Sequence, residues 1–374
     1  MSNKSKSRQL FLICTGLGTV KRGFETYISD LGEKLTVESN NEFSVSVFSG
    51  GNYSGSNFKS IRIPCISRNN NIAKYFFSQK TISDIELITF FLSLIPIIIL
   101  QKPKAIYLGE YKLYCFLFKF RKLLNLKYSL ILFTGGQTCP GLFDIKKDYI
   151  HHVTDIYYRS LIEQGISIKR QFIIPHFINE EYIYNEKLAK NIKAKSGSKK
   201  IVLSVGYIDK TIKRMNLFVR LLSDIPQTVF PIILGEFSDD TNDVEEMLIY
   251  YFGKDGYILD RVSRKELGTY YSLADLFILC SPKESFGLAS VEALYFGKPV
   301  ISDDFYESRF VLKDQAIIVN MKNEVKTQKV ISDILLGAFE ISNIERRKRF
   351  VEKNYTWKSL SNRYFTMFSE IINS

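Results

Sequence analysis

Two glutamates lie in a stretch of the chain that combines a loop glycine with helical apolar spacing. Glu284 follows an apolar run that predicts a buried strand, and Glu292 lies about one turn into a helix predicted to begin near Leu288. The free N–H groups at the start of such a helix bind anions, so a phosphate is expected at Ser285–Leu288. Carboxylates repel phosphate but accept hydrogen bonds from hydroxyl groups on either side of it. This chemistry suits a nucleotide sugar, whose diphosphate joins a sugar to a ribose.

Two cations lie before another predicted helix. Lys213 and Arg214 precede an apolar helical face that starts at Leu217, and both follow the predicted strand Ile201–Val205 and its turn at Gly206. Cations at a helix N-terminus oppose the helix dipole unless an anion lies between them and the helix. A diphosphate would be such an anion. The competing explanation is that these are two solvated charges in a lysine-rich chain.

The motif around the glutamates resembles that of a known enzyme family. Glu284-Ser285-Phe286-Gly287-Leu288, with Glu292 eight positions after Glu284, resembles the E-x7-E signature of retaining GT-B glycosyltransferases of family 4. The resemblance implies that Glu284 orients the transferred sugar, that Lys213 clamps the diphosphate and that Glu292 holds the ribose. Arg214 is expected to act beside Lys213, because Tyr207 replaces the arginine that the family usually carries after the strand glycine. The donor-binding residues implied are Ser285, Phe286, Gly287, Leu288, Glu292, Gly206 and Gly18.

The rest of the chain alternates predicted strands and helices, beginning with the strand Gln9–Cys14 and a glycine-rich loop. This alternation predicts an α/β protein with doubly wound parallel sheets. The resemblance implies the GT-B arrangement, with two Rossmann-like domains facing across a cleft and a C-terminal helix crossing back to the N-terminal domain. We expect an acceptor-side domain over residues 1–178, completed by a terminal helix at 357–374, and a nucleotide-sugar-binding domain over 201–356. Residues 179–200 lack a sustained apolar period and are expected to form a linker.

Acceptor-side residues are expected where strands of the first domain end, because ligands of such sheets bind beyond the carboxyl ends of the strands. The candidates are Glu110, Thr134, Gly135, Gly136 and His152. A tight turn is the competing explanation for the two glycines, and a packed side chain is the competing explanation for each of the three histidines. Many family members carry a histidine where this chain reads Phe133-Thr134-Gly135-Gly136, so the acceptor-side group stays open.

Charge is concentrated in the first half of the chain. Of the 51 Lys and Arg and 39 Asp and Glu, residues 1–180 hold 23 basic and 13 acidic side chains. An anionic membrane surface or a lipid-linked substrate is favoured over nucleic acid, because no nucleic-acid module pattern accompanies the charge. A merely solvated basic surface is the third explanation. The apolar run Leu87–Leu100 is shorter than a membrane span needs and contains Pro96, so it is expected to be a core helix.

The sequence favours a cytoplasmic protein, peripheral at the inner face of the membrane. The five cysteines lack metal-ligand spacing, and neither a metal nor another cofactor is expected. The first residues imitate a signal peptide, but the apolar part is too short. The predicted activity is hexosyl transfer with retention from a nucleotide sugar, with UDP as the expected nucleotide, to the hydroxyl of a glycan, lipid-linked sugar or glycoprotein, in the synthesis of bacterial surface polysaccharides or glycoconjugates. Two alternatives are a non-catalytic subunit that binds sugar nucleotide and a nicotinamide-dependent oxidoreductase, although the chain lacks a dinucleotide fingerprint.

Overall fold

The computed structural model describes residues 8–20, 23–39, 42–55, 57–70, 75–135, 147–337 and 343–374. It divides the chain into two compact units, of which the first comprises Met1–Ile174 with Ser361–Ser374 and the second comprises Pro175–Leu360. Each unit is built on one parallel β-sheet. The two α/β units are those of the predicted fold class.

The first unit contains a seven-stranded sheet in the order β3-β2-β1-β4-β5-β6-β7. Its strands are nearly continuous apolar runs, as expected for a parallel sheet covered on both faces. The predicted strand β1 is confirmed at Gln9–Cys14. The strands are β1 (Gln9–Cys14), β2 (Ser44–Ser49), β3 (Ile61–Arg62), β4 (Ala105–Leu108), β5 (Ser129–Thr134), β6 (Tyr149–His152) and β7 (Gln171–Ile173), and the helices are α1 (Gly23–Glu38), α2 (Gln79–Gln101), α3 (Tyr111–Leu123) and α4 (Tyr158–Glu163).

The second unit contains a six-stranded sheet in the order β10-β9-β8-β11-β12-β13. The strands β8 and β11 are followed by the segments that carry the predicted donor residues of this unit. The strands are β8 (Lys200–Val205), β9 (Val229–Leu234), β10 (Ile258–Asp260), β11 (Leu276–Leu279), β12 (Val300–Asp303) and β13 (Ile317–Val319), and the helices are α5 (Glu186–Ser196), α6 (Met215–Leu222), α7 (Thr241–Phe252), α8 (Leu267–Leu273), α9 (Leu288–Tyr295), α10 (Tyr306–Leu312), α11 (Glu324–Leu335), α12 (Ile344–Asn354) and α13 (Trp357–Asn373).

The terminal helix α13 begins in the second unit, and its residues from Ser361 onward belong to the first. Within the first unit, the Tyr364 hydroxyl accepts a hydrogen bond of 3.3 Å from Tyr27, and Tyr27 lies 3.1 Å from the Tyr107 hydroxyl. All three rings are buried. The predicted terminal helix is therefore packed in the first unit from Ser361 onward.

The prediction of a linker at 179–200 is wrong. Most of that interval forms α5, whose N-cap Asn185 accepts a hydrogen bond of 3.0 Å from the Leu188 amide. Ala189 and Ile192 are buried, and α5 packs on α8 within the second unit. Their spacing of three residues is helical, but the apolar period is too short to stand out among the surrounding lysines.

The prediction of a core helix at Leu87–Leu100 holds for one face only. Phe90, Leu94 and Ile98 of α2 are buried in the core of the first unit. On the other side, Leu92 and Leu100 are 56% and 80% exposed. An evenly apolar sequence carries no periodic signal to distinguish these two faces.

Candidate functional site

The loop between β11 and α9 leads into a helix whose first backbone N–H groups are free. Gly287 is the N-cap of α9, with a φ of 77°, a left-handed conformation that glycine adopts without strain. The helix begins at Leu288 as predicted, and its first backbone N–H groups lack intrahelical acceptors. Phe286, by contrast, is buried and packs edge-on against His176, with ring centroids 5.3 Å apart. The loop thus has a packed side chain, Phe286, next to a helix N-terminus whose free N–H groups are suited to an anion.

Lys213 and Glu284 come together in the second unit, although 71 residues separate them in sequence. The Lys213 ammonium donates a hydrogen bond to Glu284 Oε1, and both side chains are largely buried. The Lys213 side chain also covers Gly206, where a Cβ atom would lie 3.2 Å from Lys213 Cδ. Any larger residue at position 206 would crowd this side chain. The predicted diphosphate clamp and the predicted sugar-orienting carboxylate are therefore direct partners.

Arg214 points to different partners. This residue has a left-handed backbone with φ 50° and forms the N-cap of α6. Its Nε donates to the Cys280 carbonyl oxygen at 2.5 Å, and its Nη2 contacts Asp303 Oδ2 at 2.5 Å. Asp303 is itself fixed, since its Oδ1 accepts a hydrogen bond of 3.0 Å from the Met321 amide. Arg214 thus joins the ends of β11 and β12, and a diphosphate would have to share it with Asp303.

Asp209 is a buried carboxylate that the sequence reasoning missed. Its Oδ1 accepts hydrogen bonds from the backbone amides of Thr211, Ile212 and Lys213 at 3.2, 2.9 and 2.7 Å. Its backbone oxygen accepts a further bond of 2.8 Å from the Met215 amide. Asp209 therefore organises the turn that presents Lys213. The available signal was an aspartate two to four residues before a turn, a spacing typical of Asx turns.

Glu292 is buried on α9 and holds two polar partners. Its Oε2 accepts a hydrogen bond of 2.9 Å from the Tyr271 hydroxyl, and its Oε1 lies 3.3 Å from Arg264 Nη2. Burial, reinforced by the charge of Glu292, raises the pKa of Tyr271 well above its ordinary value, so the phenol remains a donor. Neither Tyr271 nor Arg264 was predicted, because they lie 21 and 28 residues away in sequence. Glu292 is therefore a fixed acceptor rather than a solvated helix residue.

The first unit has its own polar cluster where β1 and β4 end. Glu110 Oε1 accepts hydrogen bonds from the Thr15 amide at 3.0 Å and from the Thr15 hydroxyl at 2.8 Å. Burial raises the pKa of the Glu110 carboxyl, and its Oε2 is buried without a hydrogen-bond partner among the described residues. Arg68 donates to the Thr15 hydroxyl at 3.2 Å and forms an ion pair with the fully buried Glu86. The cluster therefore contains one buried carboxylate oxygen that lacks a hydrogen-bond partner among the described residues.

The other acceptor-side candidates lie at the ends of β5 and β6. Thr134 Oγ1 lies 2.9 Å from His152 Nδ1, and His152 Nε2 lies 3.0 Å from the Gln171 side-chain oxygen. Nε2 is therefore the protonated nitrogen, and Thr134 donates to Nδ1. Burial lowers the pKa of His152 to about 4. Gly135 follows β5 in the chain, and Gly136 lies outside the described residues. Both ring nitrogens of His152 are occupied within the first unit.

Gly18, predicted to bind donor, is required by the local backbone. Its φ is 81°, and a Cβ atom there would lie 2.7 Å from the Asn52 carbonyl oxygen.

The predicted residues are divided between the two units. The first unit contains Gly18, Glu110, Thr134, Gly135 and His152, and the second contains Lys213, Glu284 and Glu292. In the part of the chain that the structure describes, no cluster of three or more His, Cys, Asp or Glu is arranged to hold a metal.

Comparison with known proteins gives one family match for this chain. Residues 185–357, a little under half of the chain, match the family model described as glycosyl transferases group 1. The match includes Lys213, Glu284 and Glu292, and it confirms the resemblance predicted from the glutamate motif. Assignment to family 4 within the glycosyltransferases stays a prediction.

Solved structures confirm the GT-B fold. Sucrose-phosphate synthase from Thermosynechococcus elongatus superposes with a TM-score of 0.79 at 15% identity, covering 98% of this chain and 99% of that one. Anabaena HepE in complex with UDP and glucose superposes with a TM-score of 0.71 at 10% identity, covering 97% and 100%. Among curated proteins, the alpha-galactosylglucosyldiacylglycerol synthase of Streptococcus pneumoniae is 22% identical over 224 residues, which is 58% of this chain and 59% of that enzyme. The chain spans about three fifths of the length of the curated relatives it matches.

Proposed function

We propose that this protein is a retaining glycosyltransferase that moves a hexose from a UDP-sugar to an acceptor hydroxyl. The observation that carries the proposal is the contact of Lys213 with Glu284 beside the N-terminus of α9. This site combines one cation, one carboxylate and a row of free N–H groups. Such a combination is suited to a diphosphate and its attached sugar.

In this proposal each group has a separate task. Lys213 and the N–H groups at Phe286–Leu288 offset the charge that develops on the departing diphosphate. Glu284 accepts hydrogen bonds from the transferred sugar, and Glu292, fixed by Tyr271 and Arg264, accepts them from the ribose. Neither glutamate acts as a covalent nucleophile, because that chemistry needs two carboxylates facing each other across one bond. Arg214 supports the clamp through its bond to the Cys280 carbonyl.

The proposed donor and the proposed acceptor are supported by different relatives. The likeness to a structure that holds UDP and glucose supports a UDP-sugar donor. The S. pneumoniae relative, named for a glycosylated diacylglycerol, supports a lipid-linked acceptor ahead of a free glycan or glycoprotein. Synthesis of bacterial surface glycoconjugates at the cytoplasmic face of the membrane would fit both. In the first unit, Glu110 is the best-placed acceptor-side group, because its Oε2 is free to take a hydroxyl hydrogen.

The test is nucleotide release from a panel of UDP- and GDP-sugars, with and without glycolipid acceptors. We expect acceptor-dependent release from one UDP-hexose, unaffected by a metal chelator. The anomeric configuration of the product, read by NMR, should match that of the donor. Unchanged turnover in both Lys213→Ala and Glu284→Ala would refute the assignment of the site. Tight donor binding without any transfer would show a binding subunit instead of an enzyme.

A further inference from the structure

Helix α2 of the first unit presents an exposed apolar stripe. Ile88, Leu92, Pro96 and Ile99 recur at spacings of four, four and three residues, and each is exposed. Leu100 extends the stripe at the C-terminal end of the helix. This apolar stripe, defined by Ile88, Leu92, Pro96, Ile99 and Leu100, runs along a helix of 23 residues, which is about 35 Å long at 1.5 Å per residue.

The opposite face of α2 is fixed in the core. Phe90 and Leu94 are fully buried and belong to the same cluster as Phe11 and Ile13 of β1. By length and hydropathy the helix could span a membrane, yet a third of its most apolar window is buried in the protein. A helix held on one side by a packed sheet can lie on a bilayer but cannot cross it without unfolding the unit.

Lysines flank the stripe on the neighbouring helix. Phe91 of α2 packs against Phe116 and Phe120 of α3, with ring centroids 5.5 and 5.8 Å apart. Lys119 and Leu123 lie three and seven residues after Phe116, on the same side of α3. Lys119 is exposed, as is Lys122 three residues further along α3, and Leu123 is 80% exposed. Lys119 and Leu123 therefore lie on the side of α3 that packs against α2, and together with the apolar stripe they form the candidate docking surface of this helix pair.

The charge around this surface is predominantly positive. The segment 79–127, all of which the structure describes, contains seven lysines and one arginine against three acidic residues. All seven lysines are exposed, whereas Glu86 is fully buried in its ion pair with Arg68 and Asp84 pairs with Lys112. A second copy of the chain docking by the same surface would bring these lysines together. An anionic partner is favoured instead.

We propose that the apolar stripe of α2, with the lysines beside it, docks on a bilayer that contains anionic lipids. The apolar side chains enter the boundary between headgroups and acyl chains, and the lysines contact the phosphate groups. Tyr75 and Phe76, which precede the helix and are 85% and 70% exposed, are aromatic residues of the kind that partition to this boundary. The sequence placed membrane attraction in the basic first half as a whole; the structure assigns it to this surface.

The experiment is flotation of the full chain with vesicles of phosphatidylcholine alone or mixed with phosphatidylglycerol. We expect binding to the anionic vesicles that weakens as salt rises and little binding to neutral ones. Vesicle binding needs no nucleotide sugar, so its outcome is independent of the proposed glycosyl transfer. Binding to neutral vesicles as strong as to anionic ones would refute the role of the lysines.

Paired variants separate the contribution of the lysine charges to vesicle binding from that of the apolar side chains. Lys119→Glu with Lys122→Glu should lower the partition coefficient on anionic vesicles at least tenfold, since each basic residue near the surface contributes about 1 kcal/mol. Leu92→Gln with Leu100→Gln should lower it by a similar factor even at high salt. The matched controls lie in the second unit: Lys187→Glu with Lys190→Glu changes the same charge, and Val325→Gln with Leu336→Gln removes two side chains that are each 78% exposed.

Two results would overturn the proposal. One is equal loss of vesicle binding in the control pairs, which would make the attraction a property of overall charge and apolarity. The other is a dimer in analytical ultracentrifugation that Leu92→Gln with Leu100→Gln dissociates, because the occupant would then be a second copy. Because all the substituted side chains are exposed, unfolding is not expected, and the thermal unfolding midpoint of each variant serves as the check that the unit carrying the substitutions is intact.

Discussion

The ion pair between Lys213 and Glu284 makes a prediction in which two neighbouring substitutions act in opposite directions on nucleotide binding. In the unliganded protein Glu284 holds the Lys213 ammonium, and a diphosphate must compete for it. Glu284→Gln removes the competitor and its negative charge, so UDP without a sugar should bind more tightly. Lys213→Met removes the cation, so UDP should bind more weakly. Sugar transfer should be lost in both variants.

The magnitudes follow from the exposure of the pair. The side chains of Lys213 and Glu284 are 21% and 14% exposed, so their attraction is partly screened by solvent. Taking about 1 kcal/mol for the pair, Glu284→Gln should tighten UDP binding roughly fivefold. Loss of a charge-assisted hydrogen bond to phosphate costs about 1.5–3 kcal/mol, so Lys213→Met should weaken UDP binding roughly 10- to 150-fold.

Isothermal titration with UDP measures both changes, and the double variant tests their coupling. If Glu284 acts on UDP through Lys213, Glu284→Gln should bring little gain when Lys213 is already Met. Lys210→Met is the control for Lys213, because Lys210 lies in the same turn but pairs with Asp243 and Asp240. Weaker UDP binding in Glu284→Gln would refute the reasoning, since Glu284 would then position Lys213 rather than compete with phosphate.

Three further predictions concern residues that support the site or the fold. Asp209→Ala removes the acceptor of three backbone amides and should lower UDP affinity about tenfold by titration, whereas Asp209→Asn, which keeps an oxygen acceptor, should lose less. Tyr271→Phe should raise the KM for donor severalfold with kcat little changed, because it frees Glu292 without removing it; an equal fall in kcat would contradict a role in ribose binding alone. The pKa of His152 is lowered to about 4 in the folded chain, so the unfolded chain binds the proton more readily, and the free energy of unfolding should fall as the pH drops from about 6.5 to about 4, by up to ~3 kcal/mol. Urea titrations across that range should show a shallower slope in His152→Gln, with the remainder expected from His151, whose pKa burial lowers to about 3. A slope unchanged by the substitution would assign the effect to groups other than His152.

The elements that carry the predicted donor residues were predictable because each is local in sequence. Glu284, Gly287 and Glu292 fall within one strand, loop and helix, and the order of apolar run, glycine and helical period is fixed by backbone chemistry. Lys213 was predictable by the same logic, as a cation where a helix dipole disfavours one. In each case the physical reason for the residue lies within a few positions of it.

The partners that fix these residues were not predictable from the sequence, because they are determined by the order of strands in the sheet. Arg214 meets Asp303 since β12 lies beside β11, although 89 residues separate the two side chains. Glu292 meets Tyr271 across α8 and α9 for the same reason. A local pattern names a candidate charge, but whether that charge faces a ligand or a protein partner depends on the tertiary neighbours.

The exposed stripe of α2 is a second case in which tertiary neighbours decide what the local sequence cannot, here which side chains are buried. An apolar sequence at Leu87–Leu100 indicates burial, yet the sheet of the first unit has room to cover only one side of the helix. The other side is left apolar where solvent alone would favour polar residues. Exposed lysines beside it show that the surface is compatible with water at its border, while the stripe itself is not. The apolar run of α2 therefore has one face in the core of the first unit and another that stays exposed beside the lysines.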